Sequence, residues 1–170
     1  MTIDVFGADE QRDCKVALSD LVGLARSVLE AEGVRNGAEV SLLFVDEPTI
    51  AELNERFLGH AGPTDVLSFP LEDEPLASGR QPDSGGTGPG EPLEEAPPEL
   101  LGDVVVCPKV AAVNAVRDGV AYDDELALLV VHGTLHLLGW DHEEDAAATA
   151  MEARERELLR AHWSPTWAGR

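Results

Sequence analysis

Three of the chain's five histidines crowd into one short run, Val131-His132-Gly133-Thr134-Leu135-His136-Leu137-Leu138-Gly139-Trp140-Asp141-His142. On a helix, His132 and His136 stand one turn apart on the same face, so both imidazoles reach one ion. Gly139 is placed to take left-handed backbone just past the helix end, and that reversal returns His142 toward the first two. Three nitrogen ligands leave the fourth tetrahedral position for water, the arrangement of a catalytic rather than a structural zinc. The spacing therefore predicts one metal ion held by His132, His136 and His142 rather than three ordinary structural histidines, with zinc the first choice although nickel and cobalt also accept imidazole. The segment from Leu126 to Leu138 is apolar enough to be buried all round, where an unpartnered imidazole would be costly. Neutral ligands cancel none of the ion's charge, so the site is a local positive point suited to an anionic substrate.

This spacing matches that of the metzincin proteases except at one position: Gly133 stands where they carry the Glu that takes the proton from water. Glycine offers no proton acceptor, which disfavours peptide hydrolysis by that route. Asp141 could orient a ligand histidine by accepting its N–H, or could simply serve the turn after Gly139, and Asp103 has the same two readings. No side chain stands out as a general base.

The elements that must position these residues can be read from pattern. A strand at Ile3 to Phe6 precedes a helix from about Cys14 to Glu32, stopped by Gly33, and then a buried strand at Val40 to Val45. Asp46 caps a helix with Pro48 in its first turn and Ile50, Leu53 and Phe57 on one face. Pro63 and Pro70 fence a strand at Thr64 to Phe69, which suits a sheet edge because proline cannot donate to the ladder. A strand at Asp103 to Cys107, a helix from Pro108 to Val116, the histidine helix at about Asp123 to Leu138 and a charged helix at about Glu143 to His162 complete the order. The expected fold is α+β, a small mixed β-sheet packed with helices.

At 170 residues the chain is expected to form one domain over 1–170, with a disordered acidic, Pro/Gly-rich insertion at about 73–98 and a frayed tail at about 163–170. A net charge of −21 argues against a long nucleic-acid grip by a broad basic face, so any RNA or DNA contact must be local. Neither a basic, apolar leader nor an uninterrupted stretch of about 20 apolar residues is present, so no membrane partner is expected. Cys14 and Cys107 lie far apart, consistent with a reducing compartment, and the cytoplasm is the expected location. A monomer or weak oligomer is expected.

The histidine run resembles the His-Gly-x-x-His-Leu-x-Gly-x-Asp-His signature of the YbeY family of bacterial metal-dependent endoribonucleases. Pro63-Thr64-Asp65-Val66-Leu67-Ser68-Phe69-Pro70 and Leu101-Gly102-Asp103-Val104-Val105 resemble two further family segments, and the likeness runs from about Ile3 to Leu159 outside the insertion. The resemblance implies a zincin-like α+β fold. It also implies a zinc-dependent, single-strand-specific endoribonuclease acting in 16S rRNA 3′-end maturation and ribosome quality control, with single-stranded RNA and the small ribosomal subunit as partners. His132 is then a catalytic as well as a ligand residue. The strand at 64–69 would hold an extended RNA strand along its free backbone edge, with Thr64, Ser68 and His60 as candidate substrate contacts. Many members carry an Arg, implied to matter for cleavage, directly after the aromatic of a Leu-Asn-x-x-Tyr-Arg segment; here Leu53-Asn54-Glu55-Arg56-Phe57-Leu58 has Leu58 there. Arg56 is the candidate replacement, although two residues on a helix point about 200° apart. That departure keeps open a ribosome-associated RNA-binding factor with a structural metal, and three His ligands alone also allow a hydrolase of another ester or amide.

Overall fold

A computed structural model describes residues 3–71 and 99–164, which form a four-stranded sheet with helices on both faces. The expected insertion at 73–98 lies outside the described residues, as does the expected frayed tail from residue 165 onward. The elements in chain order are β1 (Asp4–Asp9), α1 (Leu18–Ala31), β2 (Ala38–Phe44), α2 (Glu47–Leu53), β3 (Val66–Pro70), β4 (Glu99–Val106), α3 (Pro108–Asp118), α4 (Tyr122–Leu137) and α5 (Asp145–His162). Strand order is β1-β2-β4-β3, with β1, β2 and β4 parallel and β3 antiparallel to β4. The fold is the expected α+β, and the proline-fenced strand is an edge.

Alternation along the strands divides the core in two. Val40, Leu42, Phe44, Val104 and Val106 point to the face covered by α1, α4 and α5, where the main core lies. Leu67 and Val105 point the other way and join Val45, Ile50 and Cys107 under α2. The histidine helix α4 crosses β3 and β4 and packs on α1, so most of its length is buried. No helix among the described residues is long and apolar enough to cross a membrane.

Three local outcomes differ from the sequence expectation. Helix α1 begins at Leu18 rather than Cys14, because the buried Gln11 side chain organises the preceding loop: its Oε1 accepts the amides of Asp13 and Cys14, and its Nε2 donates to the Cys14 carbonyl. Phe57 does not share the buried face of Ile50. Residues Asn54–Leu58 form a π-helical turn that rotates the ring off that face and leaves it 58% exposed. Trp163, expected in a frayed tail, donates its indole N–H to Asp124 at 3.0 Å and is tied to α5 through the Leu159 carbonyl.

Candidate metal centre

The last two turns of α4 carry His132 and His136, and the loop beyond brings His142 back to them. That loop closes as a Schellman turn: Gly139 has φ +98°, its amide donates to the His136 carbonyl, and the Trp140 amide donates to the Leu135 carbonyl. Candidate ligating atoms of the three rings all lie within 4.8 Å of one another, and the ring centroids are 4.6, 5.4 and 4.8 Å apart. His132 and His136 are half-buried and His142 is exposed, so the cluster opens to solvent on one side.

Both helical rings are oriented from behind. Glu155 Oε2 lies 2.5 Å from His132 Nδ1, and the Trp140 carbonyl lies 2.9 Å from His136 Nδ1. Carboxylate and carbonyl oxygens accept, so each Nδ1 donates and each Nε2 is left with a lone pair. Those two Nε2 atoms face each other at 3.1 Å. Two lone pairs at that distance repel unless a cation lies between them. Two nitrogens each about 2.0–2.1 Å from a tetrahedral ion would stand about 3.3 Å apart, so the donor set fits a metal ion. Burial first, and then the neighbouring His132 and His142, hold His136 below the ordinary imidazole range, which keeps its ring a neutral ligand.

The metalloprotease glutamate has no room here as well as no counterpart. A Cβ at Gly133 would stand 2.6 Å from Val104 Cγ1 and 3.1 Å from Val66 Cγ2, so position 133 faces the sheet and not the histidine cluster. Ser68 marks the same approach from the strand side, its hydroxyl donating to the Gly133 carbonyl at 2.8 Å. The hydroxyl expected to contact substrate thus helps hold β3 against α4.

The other expected residues are placed as follows. Asp141 accepts the Glu143 amide at 2.7 Å, which is its turn reading, and the hydrogen bonds to the helical rings come instead from Glu155 and Trp140. Asp103 points away from the histidines: Val104 beside it faces α4, so Asp103 opens on the opposite face with Phe6, Ser41 and Leu100. Thr64 precedes β3, and its hydroxyl lies 3.5 Å from the neighbouring Asp65 carboxylate. His60 is exposed in the turn after the π-helical segment. Arg56 is exposed with its guanidinium 5.6 Å from the Phe57 ring, which in turn meets Phe69 of β3 edge-on at 5.5 Å. Arg56 and Phe57 therefore flank the edge strand whose other side, through Ser68, touches the histidine helix.

Glu155 was not among the expected residues. Its signal was present: α5 buries Met151, Glu155, Leu158 and Leu159, so one carboxylate occupies an apolar stripe at i, i+4, i+7 and i+8. Buried carboxylates need a partner, and this one has an imidazole.

A family model for Endoribonuclease YbeY matches residues 7–162. Endoribonuclease YbeY of Salinispora tropica is 45% identical over 161 residues, covering 94% of this chain and 92% of that protein. Endoribonuclease YbeY of Thermobifida fusca is 42% identical over 168 residues, with 96% and 94% covered. The solution structure of TM1509 from Thermotoga maritima superposes with a TM-score of 0.60 at 27% identity, covering 96% of this chain and 91% of that one.

Proposed function

The chain belongs to the Endoribonuclease YbeY family, and from that membership we propose that it is a zinc-dependent endoribonuclease that cuts single-stranded RNA. The observation that supports it most directly is the pair of Nε2 atoms facing at 3.1 Å, with both Nδ1 atoms committed elsewhere. A divalent ion held by His132, His136 and His142 supplies Lewis acidity toward a phosphodiester. The chain's own residues do the rest. Glu155 and the Trp140 carbonyl hold two ligand rings in one tautomer, and Gly133 lets α4 press on the sheet beside β3. Among the described residues β3 is an edge strand, whose outer backbone groups would pair with an extended strand, with the Arg56 guanidinium and the His60 ring as partners for phosphate. As in the family resemblance, the substrate is the 3′ end of 16S rRNA on the small ribosomal subunit, and the setting is ribosome maturation and quality control in the cytoplasm.

The purified, zinc-loaded protein should cut a single-stranded RNA oligonucleotide. His132→Ala should remove both the bound metal and the cutting. Cutting that survives that substitution unchanged would overturn the mechanism. One observation favours a second reading: Leu58 is 49% exposed where the family resemblance places an arginine. A ribosome-associated RNA-binding factor would hold stoichiometric metal, bind RNA and leave it intact with or without chelator.

A further inference from the structure

Glu32 closes the end of α1, 108 residues from Trp140, yet its carboxylate is committed to the loop that carries His142. Oε1 accepts the Trp140 indole N–H at 3.0 Å, and Oε2 accepts Arg154 Nε of α5 at 2.7 Å. The Glu32 side chain is only 12% exposed, so the pair of bonds is shielded from water. We propose that Glu32 is a positioning residue of the metal centre, acting through Trp140 to aim the backbone carbonyl that fixes the His136 ring. The role rests on the metal centre proposed above.

The bonds form a continuous relay. Arg154 orients Glu32, Glu32 holds the indole, and the Trp140 carbonyl meets His136 Nδ1 at 2.9 Å. After the left-handed Gly139, the Trp140 amide is already spent on the Leu135 carbonyl, so the indole bond is the second point that fixes Trp140 and with it the direction of its carbonyl. Without it the carbonyl is free to tilt, His136 loses its acceptor, and Nδ1 and Nε2 compete for the ring proton. Arg154 also precedes Glu155, so a single turn of α5 serves both rings, His132 directly and His136 by relay. A simpler role, a staple between α1 and α5, would need the Glu32–Arg154 ion pair but not the indole.

The two roles separate on Trp140→Phe, which removes the N–H while keeping an aromatic ring and the ion pair. Zinc and cobalt dissociation constants should be measured by chelator competition for wild type, Glu32→Ala, Trp140→Phe and the double variant, with the visible spectrum of bound Co²⁺ and metal-free melting as further readouts. Each single substitution should weaken metal binding about 10-fold, the low end for partners behind metal ligands, and alter the cobalt spectrum. The double variant should be no weaker than the worse single, because both cut the same relay. Trp140→Phe binding metal as wild type does, or single losses that multiply in the double variant, would overturn the proposal. Trp140→Phe alone still decides between the two roles even if Glu32→Ala folds poorly. Wild type that binds neither metal defeats the metal reading itself, whereas tight binding unmoved by either substitution defeats the relay alone.

Discussion

Gly133 lies where α4 touches the sheet, and its missing side chain determines how closely the histidine helix can approach β3 and β4. Adding one methyl there sets a carbon 2.6 Å from Val104 and 3.3 Å from the Ser68 hydroxyl that bonds the same residue's carbonyl. Gly133→Ala should therefore destabilise the protein by about 1–3 kcal/mol, the usual cost of overpacking, read by urea unfolding of the metal-free form. No change in the midpoint would mean that α4 simply lifts from β3. Glu155 makes the opposite kind of contribution, an acceptor placed where the stripe of α5 should be apolar. Glu155→Gln keeps the shape and removes the charge, and should weaken metal binding by about 10-fold to 100-fold, measured by competition with a chromophoric chelator. Affinity equal to wild type would show that His132 needs no carboxylate behind it.

Helix α2 and the π-helical turn after it set where β3 starts. Asp46 caps α2, its carboxylate accepting the Thr49 amide at 3.0 Å, and hydrogen bonding from the Thr49 side chain first, and from that amide second, holds the carboxyl below the usual carboxylate range. A carboxyl lowered in the folded state stabilises the fold above its ordinary range, and the benefit is lost as the pH falls toward the lowered value. Asp46→Ala should thus melt below wild type at neutral pH, and the gap should close as the pH is taken below the usual carboxylate range; a gap independent of pH would assign the effect to something other than the ionised cap. Farther on, Asn54 is buried and donates to the Gly62 carbonyl at 2.9 Å, pinning the turn that leads to the edge strand. The cap, the edge prolines and the histidine helix were all legible in the sequence, since each depends on residues close together in the chain. The widening of the helix at Asn54 was not legible, because it goes with a partly buried bond to a residue eight positions away.

For the molecule as a whole, acidity is the dominant electrostatic fact: 12 basic residues against 33 acidic ones. RNA must approach a repelling surface and find its attraction at the metal centre and a few cations such as Arg56. Binding of a single-stranded oligonucleotide should accordingly show a shallow salt dependence, with log K falling against log salt by a slope of no more than about 2, equivalent at about 0.7 per phosphate to about three neutralised phosphates or fewer. Fluorescence anisotropy over a series of salt concentrations would measure it. A slope typical of basic RNA-binding domains would point to a cationic track unconnected with the histidine cluster.

The sequence by itself determined the three-histidine cluster, because a helix places residues four apart on one face and a left-handed glycine turns the chain back, both of them local rules. It also determined the α+β class and the edge position of the proline-fenced strand. Only the tertiary structure decided what stands behind the rings: Glu155 on His132, the Trp140 carbonyl on His136 and Glu32 behind Trp140, while Asp141 accepts the Glu143 amide. It likewise turned Asp103 away and tied Ser68 to the helix. The side chains among those partners come from α1, β3 and α5, separated from the residues they bond by 23 to 108 positions, and chain separation on that scale leaves no periodicity or spacing to read.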